Sequence, residues 1–390
     1  MNSEKFFPYA KQAINQQDIQ AVQESLVQER ISRGEKTKLF EEKIAALTDA
    51  KWAVSFNSAT SALFACYFAA QVQESDRVIS TANTFIATVS PAMVRNMKPH
   101  FVDLESDSGN MNVDLLKEKL ASPLSRGRYI ILPVHFSGVA IDMSKLEKQI
   151  KTADALIIED AAHALGSLYP TGEKVGSCAY SQMTVFSFHP AKTITTGEGG
   201  LVTTNDDALY HRLVAYRNNG LEREKPFVKK KSELGYYEIH ELGQNYHMTE
   251  MQAALGLSQL SRLEAFVEKR RKLVKRYRKN LQGLKYISCL NSASDERTAY
   301  HLMCVKINFE ALKMARTQLM TKLHEAGIGT DVHYIPIYHH PVFSKKHGDI
   351  SHTLPQTEAH YAETLSLPLY YDLNEEDVDF ICTTLKKLIA

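Results

Sequence analysis

Short apolar runs alternate with helical patterns between about residue 50 and residue 205, and this alternation limits the fold more than any other feature. Several runs are continuously apolar, including residues 129–134 and 155–158. Such runs are typical of strands buried on both faces, and helices between them indicate β–α–β units. The pattern predicts an α/β fold with a mostly parallel central sheet flanked by helices. Further strands are predicted at residues 52–56, 77–80, 184–187 and 201–203.

The last third of the chain has a different pattern, which predicts a smaller α+β domain at the C-terminus. Its predicted elements are, in order, one long helix over residues 248–280, a strand at 301–307, a helix over 315–326 and a closing helix from Glu375. The long helix links the two parts of the chain. We therefore predict a large domain at residues 26–262 and a small domain at residues 263–390.

Composition and charge argue against several functions. The 46 basic and 45 acidic residues give a net charge of +1, without the basic excess of a nucleic-acid-binding protein. The five cysteines include no CxxC pair, so reduced thiols are expected rather than a disulfide framework or a zinc site. The N-terminus lacks the pattern of a secretion signal, and the most apolar stretch, residues 59–72, is too short to span a bilayer. We expect a cytoplasmic protein with no membrane or nucleic-acid partner.

Two segments near predicted strand ends carry a carboxylate and a lysine. The apolar run at 155–158 continues into Asp160, and about thirty residues later a hydroxyl-rich turn holds Ser187 and Lys192. Open α/β sheets bind ligands at the ends of their strands. An Asp facing a pyridine nitrogen, a Ser facing a phosphate and a Lys that bonds covalently form the layout needed for pyridoxal phosphate. Taken singly, Lys192 could be a solvated surface lysine and Asp160 an ordinary helix N-cap.

Other residues could complete such a site. His163 either hydrogen-bonds the phenolic oxygen of the cofactor or is a buried structural histidine. Ala59 and Thr60 lie where a predicted strand meets a helix, and backbone N–H groups there either bind a phosphate or simply begin a capped helix. Phe85 either stacks on a planar ring or belongs to the core. Asn245 precedes the long predicted helix.

A loop rich in histidine and aromatic residues supplies the candidates for substrate binding, His333 and Tyr334. His339 and His340 follow in the same loop, but no carboxylate or thiolate accompanies these histidines at ligand spacing. No metal site is therefore expected. A basic stretch at residues 221–231 is either a solvated surface loop or a mobile loop that contacts an anionic substrate.

Together these residues resemble the sugar aminotransferases of the DegT/DnrJ/EryC1 group, which have the aspartate aminotransferase fold. The resemblance covers nearly the whole chain and implies the fold called type I of the pyridoxal-phosphate-dependent transferases. It implies Lys192 as the lysine that bonds to the cofactor and Asp160 as the partner of the pyridine nitrogen. The other implied cofactor contacts are Ser187 with the backbone of Ala59 and Thr60 at the phosphate, Phe85 on the ring and His163 near the phenolic oxygen.

The resemblance also implies a homodimer with shared active sites. Asn245 would reach the phosphate of the partner's cofactor, and the loop around Lys229 to Lys231 would lie near the partner's nucleotide site. Residues 1–25 would pack against the small domain. One departure from the family concerns the same region, because His247 stands where many relatives have Arg. Ala59 stands where many have Gly, which matters little if the backbone keeps a negative φ.

The activity implied by the resemblance is transfer of an amino group from L-glutamate to C4 of a 4-keto-6-deoxy nucleotide sugar. The resemblance is strongest to the pseudaminic acid branch, whose substrate is UDP-2-acetamido-2,6-dideoxy-β-L-arabino-hex-4-ulose. UDP-4-keto-arabinose and dTDP- or GDP-4-keto-6-deoxyhexoses stay open as substrates. Two other classes are a pyridoxamine-dependent sugar dehydratase, which Lys192 argues against, and a non-catalytic sensor, for which no DNA-binding module is visible.

Overall fold

The computed structural model describes residues 5–121, 124–223, 228, 235–290 and 294–389. Seven strands form the central sheet in the order β1-β7-β6-β5-β4-β2-β3. Strands β2 to β6 pair in parallel, whereas β7 runs antiparallel to both β1 and β6. The strands are β1 (Trp52–Phe56), β2 (Arg77–Thr81), β3 (His100–Val102), β4 (Tyr129–Leu132), β5 (Ala155–Asp160), β6 (Met183–Ser187) and β7 (Gly200–Thr204). The predicted α/β class with a mostly parallel sheet is confirmed.

Helices cover both faces of this sheet: α1 (Gln16–Leu26), α2 (Glu35–Thr48), α3 (Ala59–Ala69), α4 (Ser90–Val94), α5 (Val113–Leu120), α6 (Met143–Ile150), α7 (Asp207–Arg217) and α8 (Glu250–Leu260). Successive strand residues point to opposite faces. Ile157 of β5 therefore joins a core with Phe40 of α2, while its neighbour Ile158 joins a core with Leu63 of α3. A short two-stranded sheet of β8 (Leu221–Glu222) and β9 (Glu238–Ile239) lies beyond α7.

The C-terminal part contains a three-stranded antiparallel sheet, β10-β11-β12, with helices packed against it. Its elements are α9 (Leu263–Leu281), β10 (Ile287–Cys289), β11 (Met303–Ile307), α10 (Phe309–Leu312), α11 (Arg316–Glu325), α12 (Pro341–His347), α13 (Pro355–Glu363), β12 (Thr364–Leu367) and α14 (Glu375–Ile389). A separate apolar cluster joins α9, α11 and α14 to this sheet. The prediction of one helix over 248–280 is wrong, because α8 and α9 are separated at Ser261 and Arg262, where Arg262 has a non-helical φ of −113°.

The first residues contact both parts of the chain. Phe7 forms backbone hydrogen bonds with Gly327 and Gly329 and lies in the C-terminal apolar cluster. Helix α1 instead packs on α8, where Asp18 accepts hydrogen bonds from Ser258 and Gln259. The division of the chain near residue 262 stays a prediction. Among the described residues, no helix combines the length and apolar character that a membrane crossing needs.

Candidate active site

A cavity of about 520 Å³ opens at the ends of β5 and β6, beside the start of α3. Cavities of this size typically hold a cofactor or a small-molecule substrate. The predicted site residues that line it are Ala59, Thr60, Phe85, Asp160, His163, Ser187, Lys192, His333 and Tyr334. The chain therefore brings together, from separate strands and loops, every predicted site residue except Asn245.

Asp160 is the last residue of β5 and is held by two side-chain hydrogen bonds. Thr88 donates its hydroxyl to Oδ2 over 2.7 Å, and the Ala162 amide donates to Oδ1 over 3.1 Å. Its backbone amide donates to Pro133 and its carbonyl accepts from His135, on the side of the neighbouring strand β4. No helix begins between β5 and β6, a stretch that the structure describes throughout, so the alternative of a helix N-cap is wrong, and the bond from Ala162 closes a turn beside the site. The carboxylate is buried and fixed in the cavity wall.

Lys192 lies in the turn that follows β6. Its amide donates to the carbonyl of His189, while Thr195 and Thr196 donate to the carbonyl of Phe188, so the turn is closed by its own hydrogen bonds. Burial lowers the pKa of Lys192 to about 8, and the nearby carboxylate of Asp160 opposes part of that shift. A lysine with this pKa is partly neutral near neutral pH, so its amine can act both as a nucleophile and as a proton carrier.

His163 and Tyr334 form a hydrogen-bonded pair in the cavity wall. The Ser137 amide donates to Nδ1 of His163 over 3.2 Å, so that nitrogen carries no proton. Burial and the positive charge of Lys192 hold the pKa of His163 well below its usual value, and the ring is therefore neutral with its proton on Nε2. Nε2 lies 3.0 Å from the hydroxyl of Tyr334 and donates to it. The hydroxyl proton of Tyr334 is then available to a ligand.

The start of α3 forms a cradle suited to an anion. Ser58 caps the helix by accepting from the Ser61 amide, and Ala59 and Thr60 face the cavity beside Ser187. A helix N-terminus and a serine hydroxyl together are a common phosphate site. Gly200, paired with Ser187 across β6 and β7, permits this approach because a Cβ there would overlap the backbone of Ser58 and Ala59.

We predict that Gly200→Ala weakens cofactor binding about ten-fold or more, because the added methyl pushes the start of α3 away from Ser187. Overpacking of this kind also lowers the free energy of unfolding by about 1–3 kcal/mol. Cofactor affinity is measured by fluorescence titration and stability by thermal unfolding. Gly283→Ala is the control, since Gly283 has open space around it and a φ of +77° that is strained for alanine, so the variant tests backbone strain without crowding the site. Unchanged affinity in Gly200→Ala would contradict the cradle.

Three residues that the sequence does not single out also line the cavity: Tyr9, His301 and Asp331. Tyr9 comes from the N-terminal segment, far from the rest in sequence. His301 begins the run at 301–307 that predicts a strand, but β11 starts at Met303 and leaves His301 in the loop before it. Thr88, which holds Asp160, is likewise visible only in the structure.

Asn245 is exposed and lies outside the cavity of its own chain. Its neighbour His247 donates from Nε2 to Asn218, and Arg33 donates to the same amide oxygen, each over 3.1 Å. Burial, Arg217 and Arg33 lower the pKa of His247 to about 4, so the positive charge here comes from the arginines. The predicted contact of Lys229 to Lys231 with a partner's nucleotide lies outside the described residues.

Two histidines of the loop between α11 and α12 have ordinary partners. His333 shares a hydrogen bond of 2.8 Å with Ser366, and His339 pairs with Glu358 over 2.8 Å. No group of three or more potential metal ligands was found in the part of the chain that the structure describes.

The fold and the cavity together define a pyridoxal-phosphate-dependent aminotransferase. The chain belongs to the DegT/DnrJ/EryC1/StrS aminotransferase family, whose model matches residues 12–386. This membership and the similar proteins below confirm the family resemblance, the class of nucleotide-sugar aminotransferases and the cofactor.

Three similar proteins illustrate the relationship. The UDP-4-amino-4,6-dideoxy-N-acetyl-β-L-altrosamine transaminase of Campylobacter jejuni strain 81-176 is 33% identical over 381 residues, which cover 98% of this chain and 97% of that protein. The structure of Helicobacter pylori PseC, an aminotransferase involved in the biosynthesis of pseudoaminic acid, matches with a TM-score of 0.89 at 29% identity and 99% coverage of both chains. The PLP-form of Spr1654 from Streptococcus pneumoniae, a sugar aminotransferase by its description, matches with a TM-score of 0.87 at 27% identity and 98% coverage of both chains.

Proposed function

We propose that this enzyme moves the amino group of L-glutamate onto C4 of UDP-2-acetamido-2,6-dideoxy-β-L-arabino-hex-4-ulose, a 4-keto-6-deoxy nucleotide sugar. The observation that supports amino transfer most directly is that Lys192 and Asp160 line the same cavity. The choice of sugar is supported by the similarity to the Campylobacter transaminase and to PseC over nearly the whole chain.

The residues present fit the cofactor. Asp160 would pair with the pyridine nitrogen, and the cradle at Ala59 and Thr60 with Ser187 would hold the phosphate. Phe85 exposes 59% of its surface and lines the cavity, so its ring is free to stack on the cofactor rather than being used in the core. When bound, pyridoxal phosphate supplies an electron sink and carries the amino group between the two substrates.

Lys192 performs the proton transfers in this proposal. Once its amine is free, Nζ would take the proton from Cα of glutamate and give it up at C4′ of the bound cofactor in the first half of the reaction. In the second half Nζ would take a proton from C4′ and deliver it to C4 of the sugar, so the lysine ends each half as it began. A pKa of about 8 suits both directions, because neither protonation state is strongly favoured near neutral pH.

The far side of the cavity provides polar groups for the sugar. Tyr334 can donate its hydroxyl proton, and burial raises the pKa of that hydroxyl well above its usual value, so it stays protonated. His333 lies beside it and is neutral at neutral pH, since burial lowers its pKa to about 4. The proposal assigns substrate binding to these two side chains.

The proposal includes a homodimer in which Asn245 reaches the partner's site. Support comes from the position of Asn245, which is exposed on the surface and does not line the cavity of its own chain. A cytoplasmic location stays a prediction as well.

The substrate is tested by supplying a panel of keto sugars to the loaded enzyme. Protein converted to the pyridoxamine form with L-glutamate is mixed with UDP-, dTDP- and GDP-linked 4-keto sugars, and the products are identified by mass spectrometry. We expect amination of the UDP-2-acetamido sugar and recovery of the absorbance band that the pyridoxal phosphate form shows before glutamate is added. The same sugars reduced at C4 are the control, because they have no carbonyl to accept an amine. Preferential amination of UDP-4-keto-arabinose, or of a dTDP- or GDP-linked sugar, would replace the proposed substrate.

A further inference from the structure

His301 occupies a fixed position against the cavity although its chain segment comes from the C-terminal part. Its amide donates to the carbonyl of Ser137 over 3.0 Å, and its carbonyl accepts from the guanidinium of Arg270 over 3.2 Å. Arg270 is itself 2% exposed and also donates to Leu369 over 2.9 Å. The backbone on both sides of the histidine is therefore held, and its ring has little freedom to move.

The ring of His301 contacts two cavity residues. Nε2 lies 3.4 Å from Nζ of Lys192, at the long end of the hydrogen-bond range, and the ring centroid lies 4.3 Å from that of His163. The ring is only 3% exposed, and Nδ1 has no hydrogen-bond partner within the described ranges of the chain. A buried polar nitrogen without a partner is costly, so the contact that this position gives the ring is the one at Nε2 with Lys192.

The charges around this contact determine which group carries the proton. Lys192 and Arg270 are cationic neighbours of His301, His163 and His333 are neutral rings, and Asp160 is the carboxylate that acts on Lys192. Burial and the two cations hold the pKa of His301 well below its usual value. A neutral imidazole offers one nitrogen as an acceptor. Among the described residues, the donor that the ring of His301 contacts is Nζ of Lys192, at Nε2.

We propose that His301 is a positioning residue that accepts a hydrogen bond at Nε2 from the free amine of Lys192 and holds that amine at the reacting carbon. The proposal rests on the proposed function, in which Lys192 must be free during each half of the reaction. No proton passes between the two side chains. The imidazole keeps its proton at Nδ1, and Lys192 exchanges its own proton with the substrate.

This contact has a measurable consequence for Lys192. An acceptor next to the ammonium group favours the charged form and opposes the effect of burial. Removing the acceptor should therefore lower the pKa of Lys192 further. A histidine that only fills space would leave the pKa where it is.

The test is a titration of the Lys192 amine by competitive labelling. Full-length protein loaded with pyridoxamine phosphate, which leaves Lys192 free, is labelled with trace acetic anhydride at a series of pH values. Mass spectrometry of the Lys192 peptide, with surface lysine peptides as internal standards, gives the midpoint. A parallel series uses cofactor-free protein. Failure to bind the cofactor would overturn the proposed function, while the second series would still test His301.

We expect His301→Leu to lower the midpoint of Lys192 by on the order of one pH unit. His301→Gln should keep most of the wild-type midpoint, because its amide oxygen reaches about as far as Nε2, whereas His301→Asn is too short and should behave like leucine. His360→Gln is the matched control, since His360 is also buried with an unpartnered Nδ1 but does not line the cavity. If His301→Leu does not fold, the comparison of the Lys192 midpoints in His301→Gln and His301→Asn tests the proposal. Equal midpoints in those two, or an unchanged or raised midpoint in His301→Leu, would overturn the proposal.

Discussion

Replacement of Lys192 with alanine is expected to abolish amino transfer, with a loss of at least about 10⁴-fold in turnover. The substitution removes both the covalent attachment point and the group that moves the proton. Mass spectrometry after borohydride reduction should find the cofactor fixed to Lys192 in the wild type and to no lysine in the variant. Turnover is measured with L-glutamate and the preferred keto sugar.

Lys192→Arg provides the matched control for charge. It keeps a cation near Asp160 but cannot lose its proton at neutral pH, so it should be as inactive as alanine while binding the cofactor more tightly than alanine does. Turnover in either variant within about ten-fold of wild type would remove Lys192 from the chemistry.

Asp160→Ala is the second substitution with a large expected effect. Loss of the carboxylate leaves the pyridine nitrogen without its partner, and we expect turnover to fall about 10²–10³-fold, as for the loss of a fixed electrostatic group in other active sites. The half-reaction with glutamate, followed by absorbance in stopped flow, measures this directly.

Thr88→Val tests the hydrogen bond that orients Asp160 separately from the carboxylate itself. It keeps the charge of Asp160 but removes the 2.7 Å hydrogen bond to Oδ2, so a smaller loss of roughly ten-fold is expected. If Thr88→Val were as damaging as Asp160→Ala, the orientation of the carboxylate rather than its charge would be decisive. Near wild-type rates in Asp160→Ala would contradict its role altogether.

Much of the fold could be predicted because apolar runs mark buried strands. The run at 52–56 coincides with β1, and those near 155 and 184 lie within β5 and β6. The antiparallel direction of β7 could not be predicted, since strand direction depends on how the chain crosses the sheet. Strand β3 has only three residues, too few for a recognisable pattern.

Some residues of the site could be predicted from the sequence around them, and others could not. Lys192 and Asp160 lie within a few residues of the ends of predicted strands, so their neighbourhood in sequence points to the sheet edge where they lie. His301, Tyr9 and Asp331 reach the cavity through the docking of the C-terminal part and the N-terminal segment. No local pattern records that docking, and a lone histidine before a strand has no distinctive signal. The role of Asn245 depends on a second chain and stays a prediction.

The most direct test of the central claim is the glutamate half-reaction without any sugar. Protein loaded with pyridoxal phosphate is mixed with ¹⁵N-labelled L-glutamate, and 2-oxoglutarate and the bound cofactor are quantified by mass spectrometry. We expect one 2-oxoglutarate for each bound cofactor, with the label recovered in pyridoxamine phosphate. Bound cofactor that yields no 2-oxoglutarate and acquires no label would contradict amino transfer from glutamate.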